Sequence, residues 1–304
     1  MVGLGQNSID LVVRLPAYPD GNSKQPIEQI AWLPGGQVAS ALVGCARLGW
    51  RACYCGAFGG DELGARGRDS LEQEGVTVVA TIVPDARSRF AVVLVDARTG
   101  DRTVLWDRDP RLGSGFGADT SAILADSRVL LVDCEDVQGA ISAAEVARAA
   151  GVVTVIDVET RLEGLERLLP LIDIIISSQG FPEQMTRLSD PDQALATLEQ
   201  HYRPALACVT LGSAGSVARC GGRVIRTAAY PVPCVDSTGA GDAFRAGFIS
   251  GLLRWGTDDV ERLLRHANAV AGLACRAAGA REGLPTRDEV DRLMNVGALS
   301  ADAL

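Results

Sequence analysis

Lysine is almost missing from this 304-residue chain: Lys24 is the only one, and arginine carries the remaining permanent positive charge. A Walker-type phosphate loop needs a lysine directly after its glycines, so that class is excluded. Lys24 lies in a polar, loop-like stretch and offers no candidate for a catalytic lysine. Histidine is nearly as scarce, with only His201 and His266. His201 is expected at an exposed helix end beside Tyr202, and His266 on a helix near Asn268. Without a paired histidine, Ser–His and Cys–His nucleophile systems have no support. No apolar run reaches the roughly 18 residues of a membrane span, and no signal peptide is evident. No membrane partner is expected, and a cytoplasmic location is. No clean linker, repeat or low-complexity segment divides the chain.

Cysteine is present but unpatterned. The eight residues, at 45, 53, 55, 134, 208, 220, 234 and 275, include no Cys-x-x-Cys. Most lie in apolar runs, so buried reduced thiols are expected and a zinc site is not. Cys53 and Cys55 are expected on opposite faces of a strand. The net charge of −9 repels nucleic acid and anionic lipid, so neither is an expected partner. Against that background Arg87, Arg89, Arg102, Arg108 and Arg111 concentrate positive charge. Either they face solvent or an interface, or one or two of them hold an anionic group of a substrate.

With 47% hydrophobic and 22% charged residues, the chain can bury a large core. At roughly 100–200 residues per domain, one large domain with an appendage and two domains are both compatible. From Arg128 onward, apolar runs at 129–132, 152–158, 172–176 and 205–211 alternate with helical patterns at 138–150 and 191–200. That alternation predicts parallel strands covered on both faces, a doubly wound α/β layer. The earlier part holds a helix at 38–48 opened by Pro34-Gly35-Gly36, a strand at 52–58 and a helix at 61–74. Strands within 11–33 and 89–106 alternate polar and apolar residues and do not fit the main layer. They predict a separate small sheet or lid, with a turn at 18–22 and another at Arg98-Thr-Gly-Asp101. Met1 precedes Gly3-Leu4-Gly5 so closely that a shortened first strand is expected. Gly3 to Ser8 lacks the Gly-x-Gly-x-x-Gly of a dinucleotide site, and Gly113-x-Gly-x-Gly117 is expected to be a flexible loop.

The strongest chemical signal is Cys234-Val-Asp-Ser-Thr-Gly-Ala-Gly-Asp-Ala-Phe244, an extended stretch that leads into an apolar helix. Gly239, Ala240 and Gly241 then lie at a helix N-terminus, where free amides and the helix dipole favour an anion. Small residues let a phosphate approach the backbone. Asp242 follows directly. A carboxylate beside bound phosphates suits a general base that takes a proton from an attacking hydroxyl. Taken alone, the same aspartate also fits an N-cap in a glycine-rich turn.

Asp236-Ser-Thr-Gly-Ala-Gly-Asp-Ala-Phe-Arg-Ala-Gly-Phe248 resembles the C-terminal signature of the ribokinase-like (PfkB) carbohydrate kinases. The family's N-terminal signature is similar to Pro34 through Gly49. Gly59-Gly-Asp-Glu-Leu-Gly64, Thr210-Leu-Gly-Ser-Ala-Gly215 and Gly283-Leu-Pro-Thr-Arg287 extend the resemblance over nearly the whole chain. It implies one kinase domain over 1–304, a three-layer α/β/α body with a mostly parallel sheet, and a small β-sheet lid. It implies ATP-dependent phosphorylation of a hydroxyl on a small sugar. Asp242 would be the base, and the amides of Gly239, Ala240 and Gly241 the anion hole. Asp10 would hold sugar hydroxyls, with Gly35 and Gly36 as the hinge-like pair beside the substrate. Ser40 falls at a further substrate-binding position, and Asp133 and Glu135 follow a buried strand where some relatives present a substrate carboxylate, a place that equally fits a solvated strand end. Thr210, Gly212 and Gly215 would lie along ATP, with Asn268 near the adenine.

The chain departs from the family in two places. Ser40 stands where an asparagine usually bonds the sugar. The usual Asn-x-x-Glu, which helps to organise Mg²⁺ and phosphates, falls on Gln179-Gly-Phe-Pro182, with Glu183 one place off. Mg²⁺ is still expected with ATP, because it neutralises phosphate charge, but its protein contacts are unassigned. A monovalent cation near Asp236 and Ala278-Gly279, and a homodimer through the lid, are further implications of the resemblance. A nucleoside kinase of the same superfamily and a catalytically weak sugar-binding regulator remain as alternatives.

Overall fold

The computed structural model describes residues 1–99 and 102–301, so the turn expected at 98–101 lies partly outside the described residues. Among these residues, nine strands form one sheet. Their spatial order is β13 (Arg223–Thr227), β12 (Ser216–Cys220), β11 (Leu206–Thr210), β10 (Ile174–Ser177), β9 (Val153–Val158), β8 (Val129–Val132), β1 (Val2–Leu4), β4 (Cys53–Gly59) and β5 (Thr77–Val83). All neighbours are parallel from β11 to β5, while β12 and β13 add an antiparallel hairpin at one edge. Continuous runs such as Val129–Val132 are buried throughout, as a strand covered on both faces requires. The first strand is short, yet it is paired on both sides, with β4 and with β8.

Helices cover both faces. α1 (Gln37–Arg47), α2 (Glu62–Gln73), α8 (Ala240–Trp255), α9 (Val260–Ala274) and α10 (Arg287–Ala301) lie on one side. Their residues Leu42, Leu71, Phe248, Leu264 and Val290 share a core with Tyr54 and Phe58 of β4. On the other side are α3 (Ala118–Ala125), α4 (Val137–Ala149), α5 (Leu165–Leu168), α6 (Phe181–Thr186) and α7 (Pro191–Tyr202). There Leu124, Ile141, Leu165, Phe181 and Leu198 pack with Val2, Leu4, Cys53 and Cys55. Cys53 and Cys55 therefore share one face, against expectation, because it is alternate and not successive strand residues that point the same way. Cys45, Cys53, Cys55 and Cys208 are buried, but Cys234 is exposed.

The polar–apolar strands of the early sequence form a second sheet, ordered β3 (Gln29–Gly35), β2 (Ser8–Leu15), β6 (Phe90–Asp96) and β7 (Arg102–Asp107). The parallel pairing of β2 with β6 means that the chain passes through β4, α2 and β5 of the main sheet before it returns to the lid. A row of Trp32, Leu11, Val92 and Leu105 runs across this sheet in register, and Trp32 and Leu105 are exposed. Gly115 of the expected flexible loop packs tightly: a side chain there would meet the Gly56 carbonyl of β4.

Two junctions fix the site. Tyr54 donates its hydroxyl to the Gly5 carbonyl at 2.8 Å and also contacts the Asn7 side-chain amide, which anchors the link from β1 to β2. At the other junction Gly36, with φ 89°, turns β3 into α1, and a side chain on it would strike the Asn7 backbone. Leu42→Ala in the fully buried face of α1 is expected to cost about 2–5 kcal/mol, whereas Ile30→Ala, 56% exposed on the lid, should change stability by about 0.5 kcal/mol or less. Urea unfolding measures both; equal losses would contradict this assignment of core and lid.

Candidate active site

The site is built around the start of α8. Gly239 caps the helix in the left-handed region, with φ 73°. A side chain there would lie 2.7 Å from both the Cα and the carbonyl oxygen of Ala280, so only glycine fits. The preceding loop is tied down by Asp236. One of its oxygens accepts from the Thr238 amide at 2.8 Å and the Thr238 hydroxyl at 2.7 Å. The other accepts from the Gly279 amide at 2.8 Å. The first turn of α8 supplies no acceptors for its own amides, so Gly241 and Asp242 present N–H groups at the positive end of the dipole. The Ala240 amide is partly committed, donating to the Ser237 carbonyl at 3.2 Å.

Two cavities meet at this turn. The first, of ≈ 430 Å³, lies beneath the lid, and Asp10, Gly35, Gly36, Trp106, Glu159 and Asp242 are among the residues that line it. The second, of ≈ 390 Å³, lies on the other side of the turn, with Thr210, Gly212, Gly215, Val232, Asn268 and Gly272 in its wall. Ser237 and Gly241 belong to both walls. The second cavity is the more apolar, with Tyr230, Val232, Ala271 and Cys275 around it, a surface suited to a flat aromatic base. Gly215, with φ 91°, could carry no side chain, since its Cβ would lie 2.1 Å from the Thr227 carbonyl.

Charge around α8 is concentrated and sheltered. Asp242 is half-buried, and its carboxyl is held well above the ordinary range, first by desolvation and then by the negative charge of Asp157. Arg245 and Arg281 oppose that rise. Arg245 and Asp157 form a buried ion pair behind the first turn. Burial pushes Asp157 up to about 7, with Arg245 opposing, and pushes Asp133 up to about 6. In the lid cavity Asp10 is raised by burial, and its Oδ1 is buried without a hydrogen-bond partner. An orphaned carboxylate oxygen is an acceptor without a donor, and Asp10 is one of the residues that line the lid cavity.

The sequence-derived candidates divide accordingly. Asp10, Gly35, Gly36, Gly239, Gly241 and Asp242 line the lid cavity, while Thr210, Gly212, Gly215, Ala240 and Asn268 line the second. Ser40 is not in either wall: it is fully buried, and its hydroxyl accepts from Arg281 Nε at 3.2 Å. Glu135 lies behind the lid cavity, where it holds Arg89 at 2.6 Å and Arg108 at 3.0 Å. The Asn268 amide donates to the hydroxyls of Ser216 at 3.1 Å and Thr227 at 2.8 Å, and so knits α9 to the edge hairpin. Neither cavity is lined by Gln179, Gly180 or Glu183; Phe181 is core, and Glu183 starts the exposed side of α6. Arg87 pairs with Asp107 at 3.1 Å and Arg111 with Asp109 at 2.6 Å. Arg102 reaches from the lid to the Ser237 hydroxyl at 3.1 Å. Glu159, Trp106 and Arg281 were not singled out for the site by the sequence. Among the described residues, no group of three or more His, Cys, Asp or Glu side chains could hold a metal ion.

A family model for pfkB family carbohydrate kinases matches residues 4–287. The chain belongs to that family. A fructokinase of Klebsiella pneumoniae is 32% identical over 314 residues, covering 95% of this chain and 97% of its own. A solved structure from Agrobacterium tumefaciens superposes with a TM-score of 0.91 at 28% identity, covering 98% of this chain and 97% of its own. Arabidopsis thaliana ribokinase, complexed with ribose and ATP, reaches 0.84 at 24% identity, with 96% and 97% covered. The protein is thus a sugar kinase with the ribokinase-like α/β fold. Among the described residues of this kinase, no helix is long and apolar enough to cross a membrane.

A pH signature follows from Asp133, which is 2% exposed and accepts from the amides of Gln6 at 2.7 Å and Glu135 at 2.9 Å. Its folded value near 6 lies above the unfolded value of about 3.9, so the folded state binds the extra proton. This contribution is complete below about pH 4 and is lost as pH rises through about 6. The stability of the wild type relative to Asp133→Asn should therefore fall by about 2–3 kcal/mol between pH 4 and pH 7. Urea unfolding across that window measures it, and a difference independent of pH would contradict the assignment.

Proposed function

We propose that this kinase transfers the terminal phosphoryl group of ATP to a hydroxyl of a neutral sugar, with Asp242 as the general base. The observation that carries this reading is the shared wall. One cavity suited to a polyhydroxylated acceptor and one suited to a nucleotide abut at the N-terminus of α8, and Asp242 faces the acceptor side.

In this reading Asp10 accepts hydrogen bonds from the sugar and fixes its orientation. Asp242 takes the proton of the attacking hydroxyl as that oxygen bonds to phosphorus. Its raised basicity suits the task, since a base works best when its pKa lies near the working pH. The amides at Gly239 to Gly241 receive the charge on the transferred group. For Ala240 this requires release of its long bond to Ser237. Thr210, Gly212 and Gly215 border the nucleotide, and Asn268 shapes the same wall through its bonds to Ser216 and Thr227. The lid excludes water, which limits hydrolysis of ATP.

Mg²⁺ supplies neutralisation of the phosphate charge when bound with ATP. Among the described residues no three acidic, His or Cys side chains are placed to hold a metal ion together, which suits an ion carried mainly by phosphate oxygens and water. No role is assigned to a monovalent cation beside Asp236, whose carboxylate is already taken by Thr238 and Gly279.

The charge inventory favours a neutral acceptor. Asp10, Asp107, Glu159 and Asp242 line the lid cavity against Arg89, Arg102 and Arg108. Arg89 and Arg108 are both held by Glu135, and Arg89 also donates to the carbonyls of Ala57 at 3.1 Å and Leu112 at 2.8 Å. Coupled ADP release with Mg-ATP, against neutral sugars, sugar acids, sugar phosphates and adenosine, tests the proposal. A neutral sugar is expected to give the highest kcat/KM, and Asp242→Asn should lower kcat by about 10²-fold or more while ATP still binds. Better turnover of an acidic sugar or of adenosine would overturn the substrate class. An equally active Asp242→Asn would overturn the base.

A further inference from the structure

Arg281 is a buried cation that no carboxylate holds. It is 3% exposed, and no acidic side chain lies within ion-pair distance of its guanidinium among the described residues. Its donors go instead to neutral oxygens: Ser40 Oγ at 3.2 Å, Ser70 Oγ at 3.2 Å and the Gly35 carbonyl at 2.7 Å. Those bonds use three of its five N–H groups. An unpaired buried charge is expensive, and a side chain of similar volume without charge would pack as well.

The backbone does not need this side chain. The carbonyl of Arg281 is already held by Arg47 at 2.8 Å, and Arg47 is in turn fixed by Glu74 at 2.6 Å and 2.9 Å. The segment around Arg281 touches both halves of the acceptor site. Ala280 packs on Gly239, the cap of α8, and lines the lid cavity. Gly35, which receives the strongest Arg281 bond, lies against Asp10 so closely that a side chain on it would sit 2.3 Å from Asp10 Oδ2.

We propose that Arg281 is a positioning residue for the phosphoryl transfer argued above, fixing the Gly35 hinge against Asp10 and placing a buried positive charge behind the acceptor site. The proposal rests on that functional reading for its kinetic consequence, while the hinge itself stands on the bonds of Arg281 to Gly35, Ser40 and Ser70 and on the close approach of Gly35 to Asp10. The groups around each partner come from several elements, and Arg89, Arg102, Arg108 and Asp107 of the lid line the same cavity as both aspartates. Asp242 faces Asp157 and Glu159 from β9 and the residues just after it, Arg245 from its own helix, and Arg281. Asp10 faces the Ser8 hydroxyl, the Ala91 backbone and Arg281. Arg281 itself faces Asp242, Glu282, Glu74 and Asp10. Burial raises both aspartates, and Arg281 opposes the rise in each. Ser40 completes the device: its short side chain leaves the guanidinium space and gives it an acceptor.

The test compares Arg281→Met, which removes the charge, with Arg281→Lys, which keeps the charge and loses the planar fork. Carboxyl titrations of the full chain are followed by ¹³C NMR, with Asp10→Asn and Asp242→Asn assigning the signals. In Arg281→Met both aspartates should titrate about 1 pH unit or more higher than in the wild type. The acid limb of kcat/KM should move the same way. Arg281→Lys should titrate like the wild type but raise KM for the acceptor about tenfold, with KM for ATP unchanged, because the Gly35 bond is lost. Wild-type titrations in Arg281→Met would overturn the electrostatic role, and an unchanged acceptor KM in Arg281→Lys would overturn the hinge role. Absence of acceptor-dependent turnover in the wild type would overturn the functional reading instead, and the NMR titration would still decide the charge claim.

Discussion

The contact between Gly239 and Ala280 is the constraint on which the site depends. A left-handed cap lets α8 begin abruptly, and the lack of a side chain lets the following segment press directly against it. Because of that close approach, the helix start is thin enough to serve as the wall of two cavities at once. Asp236 holds the arrangement from both sides by bonding Thr238 and Gly279. A looser cap would part the two cavities, and the amides of the first turn would face neither. The free amides at the start of α8 are therefore set by backbone packing and not by any one side chain.

Around this cap the protein tolerates an unusual load of sheltered charge. Asp133, Asp157 and Asp242 all lie where burial favours the protonated carboxyl. Arg245 and Arg281 stand against them, one in an ion pair and the other alone. Such an arrangement adds little to stability, since buried pairs seldom repay their desolvation. It does adjust proton affinity, as groups with perturbed titration at functional sites commonly do. The lid contributes differently. Its arginines are largely tied to acidic neighbours, and Arg102 instead spans the cavity to Ser237. That bond ties the lid to the loop that precedes α8.

Much of this was legible in the residues. Gly-Ala-Gly-Asp ahead of an apolar run marks a helix start, and the spacing puts free amides and a carboxylate on one turn, as found at the start of α8. The lid strands were separable because their polar–apolar alternation contrasts with the continuous runs of the main sheet. The edge strand β5 and the β12–β13 hairpin have no counterpart in the sequence reading; half-exposed edges carry a weaker pattern than buried strands. The positions of Ser40 and Glu135 were equally hidden. A serine in an apolar helix gives no sign that it receives an arginine 241 positions away. A glutamate at a strand end gives no sign that it is committed to two arginines of the lid. Arg281 escaped for the same reason, since long-range burial of a charge leaves no local signature.

The most direct test of the shared-wall account is a crystal structure of the kinase with Mg²⁺, a non-hydrolysable ATP analogue and its best acceptor sugar. The account predicts the terminal phosphate at the amides of Gly239 to Gly241, with one sugar hydroxyl between it and Asp242. Nucleotide phosphates bound away from α8, or a sugar whose hydroxyls all face away from Asp242, would contradict it.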